Sequence, residues 1–136
     1  MVFTNQDGHV LLVEPTYKPD REIPGGAVEA DDSPCATAIR EIAEELRLDV
    51  RPGRLLAVEW VPAQEGRTEG LMLLFDGGAL TAQTSTIRLP GEEIHSWAWC
   101  DPSHAQQRLS GLLARRVAAL DARTAGTNAD LENGHA

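Results

Sequence analysis

Apolar residues recur along this chain in two rhythms, one helical and one extended. Over residues 34–46, at about 100° per residue, Cys35, Ala36, Ile39, Ile42, Ala43 and Leu46 share one stripe, with Glu41, Glu44 and Glu45 on the opposite one. Ser33 suits the N-cap, and Pro34 suits a first turn, where its missing N–H would have had no partner. Elsewhere the apolar runs are short, as strands require. Val2–Thr4, the turn Asn5-Gln6-Asp7-Gly8 and residues 9–14 make a hairpin. Leu55–Val61, ended by Pro62, and residues 71–76 make an antiparallel pair, the second a continuously apolar strand of the buried kind. Gly77-Gly78 breaks that strand, and residues 81–85 read as a polar loop before a short segment at 86–89.

After Pro90-Gly91-Glu92-Glu93, Ile94–Cys100 places His95, Trp97 and Trp99 on one strand face, a pattern that serves core packing or a base-stacking platform. A last helix starts at Asp101-Pro102-Ser103, with Leu109, Leu112, Leu113, Val117 and Leu120 inside and Arg108, Arg115 and Arg116 outside. The predicted domain therefore occupies residues 1–123. Residues 124–136 are polar and rich in Gly and Asn, a mobile tail unless Leu131 docks a short extension.

At 136 residues and 42% hydrophobic content, the chain suffices for one globular domain with its own core. A net charge of -9 with one lysine, Lys18, argues against nucleic acid or an anionic membrane surface as the partner, because both demand basic patches. The first residues lack a signal-peptide pattern, and the longest apolar run, residues 71–75, is too short to span a bilayer, so a cytoplasmic location is expected. Cys35 and Cys100 have no metal-type spacing, and both are expected to stay reduced. Cys35 reads as a small buried residue or as a first-turn thiol of lowered pKa. His9, His95, His104 and His135 form no legible nucleophile pattern with Ser, Cys or Asp.

Glu41, Glu44 and Glu45 repel one another at i, i+3 and i+4, and a divalent cation would turn that repulsion into attraction. Pro24-Gly25-Gly26 lies just before the helix, where bare backbone lets carbonyls and amides approach a metal or phosphate. From Gly26 the chain runs five residues to Asp32, seven more to Arg40, and then Glu41-Ile42-Ala43-Glu44-Glu45-Leu46-Arg47-Leu48. This spacing resembles the box of the Nudix hydrolase family, G, five residues, E, seven residues, R-E-U-x-E-E-x-G-U, where U is aliphatic. Two positions depart from it. Asp32 stands for glutamate and reaches about 1.5 Å less far. Arg47 stands for the glycine after the helix, so either a non-glycine residue takes a left-handed conformation at about 1 kcal/mol or the helix runs on.

The resemblance implies an α/β/α sandwich with a mixed sheet, the catalytic helix on one side and the C-terminal helix on the other. It also implies metal-dependent hydrolysis, with Mg²⁺ or Mn²⁺, of a nucleoside diphosphate linked to another moiety. Such chemistry needs the pyrophosphate neutralised, the leaving oxygen stabilised and a water aligned. Glu44 and Glu45 would be the main metal ligands, with Glu41 a further ligand or the base. Arg40 would brace the glutamates, Gly25 and Gly26 would offer backbone to metal and phosphate, and Asp32 would be an outer ligand. Family members often carry another acidic residue late in the chain, and Glu92 and Glu93 match it in order.

Tyr17, Lys18 and Arg21, in the loop at residues 15–23, are substrate contacts or solvated loop residues. Specificity is expected in that loop and in residues 63–70 and 77–85. Nudix domains usually begin with a longer first strand, so β-structure at the start is expected to leave a weak sheet edge or one completed by a second subunit in a homodimer. The rival reading is a Nudix-like module that senses a nucleotide without cleaving it, favoured by Asp32, Arg47 and the Asp20-Arg21 approach loop.

Overall fold

The structure, a computed structural model, describes residues 1–17, 19–101 and 125–133. Chain order gives β1 (Val2–Thr4), β2 (Val10–Pro15), helix α1 (Pro34–Leu46), β3 (Leu55–Val61), β4 (Gly70–Ala79), β5 (Ile94–Cys100) and β6 (Ala129–Glu132), with a 3₁₀ turn at Ala82–Thr86. The strands form one mixed sheet in the order β5-β2-β1-β4-β3-β6. Within it β1 runs parallel to β4 and β3 parallel to β6, and the other neighbours are antiparallel.

The run Val10-Leu11-Leu12-Val13 is apolar throughout because both faces of the sheet are covered. Val10 and Leu12 point into a cluster with Val2, Leu56, Leu74 and Leu131. Leu11 and Val13 point the other way, against Phe3 and the α1 residues Ile42 and Leu46. Ile42 and Leu46 are fully buried, each contributing about 1.5–3 kcal/mol of apolar burial, and they fix α1 against the sheet. Trp97 and Trp99 face this same cluster and meet edge to face, ring centroids 6.0 Å apart, so their side of β5 is core. The α/β fold and the acidic helix on one face are as expected. The last helix, expected to start at Asp101, lies beyond Asp101 outside the described residues.

Several local expectations are corrected. The first strand is no sheet edge: β1 lies inside, between β2 and β4. Gly77-Gly78 does not break β4, which continues to Ala79 and pairs Phe3 with Gly78 after a bulge opposite the Val2–Phe3 step. A Cβ at Gly77 would strike the Phe3 ring, so glycine there is a packing requirement. Nor is β4 wholly buried, since Leu71 stays exposed, across from the exposed Trp60 of β3. For the C-terminal segment the alternative of a short docked extension is the one observed: Ala129–Glu132 forms β6 along β3, held by the strand ladder and the buried Leu131.

Cys35 and Ala36 are exposed, and Thr37 is buried in their place. The reason is local: the loop before α1 folds over the Thr37 side of the first turn, where Asp32 Oδ2 accepts from the Thr37 hydroxyl at 2.9 Å. Among the described residues no helix is long and apolar enough to cross a membrane.

Candidate active site

Both ends of α1 are fixed by local chemistry. At the start, Ser33 Oγ accepts from the Ala36 N–H at 3.1 Å and Pro34 occupies the first turn. At the end, Arg47 takes the left-handed conformation (φ 57, ψ 33) and its N–H donates to the Ala43 carbonyl at 3.2 Å. The helix therefore does not run on: the position that resembled a glycine site is used as one.

The glycine corner folds back onto the acidic edge of this helix. The Met1 amino group donates to the Pro24 carbonyl at 2.6 Å, and the Gly25 N–H donates to Glu45 Oε2 at 3.0 Å. A Cβ at Gly26 would overlap the Glu41 carboxylate, so only glycine admits that carboxylate to the corner. Glu41 and Glu45 thus flank Gly25-Gly26. Burial pushes the Glu45 carboxyl up to about 7; the Gly25 N–H pulls it down, Glu41 adds to the rise, the Met1 ammonium opposes it and Glu22 adds again.

Arg40 braces this edge. Its Nη1 donates to Glu41 Oε1 at 2.6 Å and stands 3.5 Å from Glu44 Oε2, while Nη2 stands 3.6 Å from Asp32 Oδ2. Nη2 is buried without a hydrogen bond among the described residues. The one-methylene shortfall at Asp32 has this visible consequence: its carboxylate stays with Thr37 and stops short of Arg40.

The acidic pair late in the chain approaches from β5. Thr16 clips it down, its N–H donating to the Glu93 carbonyl at 2.8 Å and its hydroxyl to the Glu92 carbonyl at 2.6 Å. Between this loop and α1 lies a cavity of about 380 Å³ lined by Glu44, Glu45, Arg47 and residues 90–94. Beside it, Tyr17 is 71% exposed, and partial burial with the charges of Glu22, Glu45, Glu93 and Glu41 raises its hydroxyl pKa. Of the three loop residues singled out, Tyr17 is near enough to Glu22, Glu41, Glu45 and Glu93 for their charges to act on its hydroxyl. Arg21 instead donates to Cys100 Sγ at 3.4 Å, and Lys18 is outside the described residues.

The structure therefore brings Glu41 and Glu45 to the glycine corner and Glu44, Glu45, Glu92 and Glu93 to one cavity. It does not bring Asp32 to either. Among the described residues no three acidic, His or Cys side chains gather as a ready-made ion site. The donor chemistry still fits a hard divalent cation: oxygen ligands only, a half-buried Glu45 that burial drives toward its protonated form, and a Glu44 whose 60% exposed side chain has room to turn. Of the cavity wall at residues 90–94, sequence reasoning named Glu92 and Glu93 but not Pro90, Gly91 or Ile94, and it expected specificity from 77–85, because nothing local reveals that β4 absorbs the glycines.

A sheet whose helix turns its carboxylates toward a glycine corner defines an α/β domain with an acidic loop-and-helix site. The chain belongs to the Nudix family, since the family model described as the NUDIX domain matches residues 1–120. It is 41% identical over 56 residues to mouse diphosphoinositol polyphosphate phosphohydrolase 3-alpha, a match covering 40% of this chain and 34% of that protein. The chain thus matches about a third of the length of that curated relative. Its fold is similar to that of the MutT protein from Methanosarcina mazei Go1, with a TM-score of 0.77, 20% identity and 90% of each chain covered. It is also similar to the NUDIX domain of Shewanella oneidensis NrtR complexed with ADP ribose, with a TM-score of 0.71, 17% identity and 90% and 84% of the two chains covered.

Proposed function

We propose that this chain is a pyrophosphohydrolase that cleaves a nucleoside diphosphate linked to another moiety, using Mg²⁺ or Mn²⁺. The observation that carries the reading is the convergence of Glu41 and Glu45 on Gly25-Gly26, next to a cavity that adds Glu44, Glu92 and Glu93. When bound, the divalent ion would neutralise the diphosphate and acidify a water. Glu44 and Glu45 would hold it, with Glu41 a further ligand or the group that accepts the water's proton. Asp32 serves at most as an outer group, by way of Arg40.

Arg40 occupies one oxygen of Glu41 and so orients the other. The Gly25 N–H orients Glu45 in the same way. Bare backbone at Gly26 admits the Glu41 carboxylate to the corner, which would keep it beside the bound ion. Glu92 and Glu93, which line the cavity opposite α1, would orient water or receive its proton once substrate fills the space between. The similarity to a diphosphoinositol polyphosphate phosphohydrolase supports cleavage at a diphosphate in general.

The test is release of a monophosphate, with Mg²⁺ present, from a panel of nucleoside diphosphate sugars, dinucleoside polyphosphates and ADP-ribose. Activity on at least one member, lost in Glu44→Gln, is the expected result. A second reading, a nucleotide-sensing module, draws on the tie of Arg40 to Glu41 and Glu44 and on the ADP-ribose held by the similar NrtR domain. An uncleaved panel whose members still raise Tm would select it.

A further inference from the structure

Arg47 is the residue at which this chain departs most from its family's pattern, and its surroundings give the departure a use. Three non-glycine residues among those described have positive φ: Asp31, Arg47 and Asn133. Asp and Asn tolerate that region through their short polar side chains; arginine has no such compensation. The conformation has a backbone return, since the Arg47 N–H caps α1 on the Ala43 carbonyl, but among the described residues no hydrogen bond or ion pair holds the guanidinium. The cap needs only the backbone of this residue, which leaves the arginine side chain without a role in the turn. Arg47 lines the cavity together with Glu44, Glu45, Glu92 and Glu93, and among the described residues that line it no other is a cation.

We infer that Arg47 is a substrate-binding residue whose guanidinium grips a phosphate oxygen of the bound diphosphate compound. The inference rests on the proposed function for the class of ligand. An anion entering between four glutamates needs a local positive charge, and the planar guanidinium matches two phosphate oxygens at once, which a lysine cannot reproduce. Glycine at this position would supply the turn but no grip, and the arginine adds a contact to the ligand's charged end. A purely structural role, with the cation complementing the negative end of α1, predicts the opposite sign on stability.

The experiment uses the full chain with Mg²⁺ and two uncleavable or minimal probes, α,β-methylene-ADP and inorganic pyrophosphate, with Kd from calorimetry and Tm measured on wild type, Arg47→Gly and Arg47→Lys. The expected result is that Arg47→Gly raises Tm by roughly 3 °C as the left-handed strain is relieved, yet weakens Kd about tenfold through loss of a charge-assisted hydrogen bond. Arg47→Lys should recover part of the affinity but none of the gain in Tm. An Arg47→Gly protein that binds as tightly as wild type overturns the inference, as does a wild type that binds neither probe. Cleavage of the substrate panel by wild type is read separately, so a cleaving enzyme with an indifferent Arg47 refutes the arginine alone. A binding-only protein with a sensitive Arg47 refutes the hydrolysis alone.

Discussion

Arg40 and Arg47 stand seven residues, about two turns, apart on or just beyond the same edge of α1, and the fold treats them in opposite ways. Arg40 is half-buried and committed, reaching Glu41 at 2.6 Å and lying within 4 Å of both Glu44 and Asp32. Arg47 is exposed, strained in its backbone and uncommitted among the described residues. One guanidinium holds an acidic cluster in shape; the other faces a cavity. The contrast shows that the charge of an arginine says little by itself, and that its partners and backbone cost decide whether it supports the protein or meets a ligand.

The largest expected effect tests the acidic edge that Arg40 supports. Glu45→Gln should lower Mg²⁺-dependent turnover at least about a hundredfold, since loss of even a supporting group around a metal costs about 10–100-fold, while circular dichroism shows the fold retained. Next comes the arginine pair. Arg40→Ala should lower turnover about tenfold and lower the denaturant midpoint measurably, because Glu41 and Glu44 then repel without a bridge. Arg47→Ala should leave the denaturant midpoint nearly unchanged, and equal losses at both sites would collapse the comparison.

The pH dependence sharpens it further. In the folded chain burial holds the Glu45 carboxyl at about 7, against 4.5 for an ordinary glutamate. Below about pH 4.5 both forms of the chain carry the proton and nothing is lost. As pH rises toward 7 the unfolded chain releases a proton that the folded chain keeps, so ion-free stability should decline across this window and level off above it. Glu45→Gln should flatten that decline, and the rise in Tm on adding Mg²⁺ should grow over the same window because the ion competes with the proton. The smallest effect is Asp32→Glu. The added methylene closes the 3.6 Å gap to Arg40 Nη2, worth about 0.5 kcal/mol in denaturant unfolding if the brace is as described.

Much of the frame was legible because it is local. The start of α1 follows from Ser33 and Pro34, and β2, β3 and β5 follow from short apolar runs bounded by turn residues. The spacing from Gly26 to Leu48 carried the family. What escaped was long-range. Whether Gly77-Gly78 ends a strand depends on Phe3, which takes the space a side chain would need, and residues 129–132 join the sheet only because β3 offers a free edge. The exposure of Cys35 depends on which side of the first turn the preceding loop covers. In the site, the pattern identified the glutamates but not that Asp32 turns to Thr37, or that Arg47 accepts the conformation of a glycine.

The Thr16 clip couples two parts of the chain that are far apart in sequence. Its two bonds to the backbone of Glu92 and Glu93 make the segment bearing Tyr17 and the wall of the cavity a single mechanical piece. Any attempt to retune ligand preference by exchanging one of these loops with a relative's would leave the other without its fastening. The two have to be transplanted together, threonine included, for either to keep its shape.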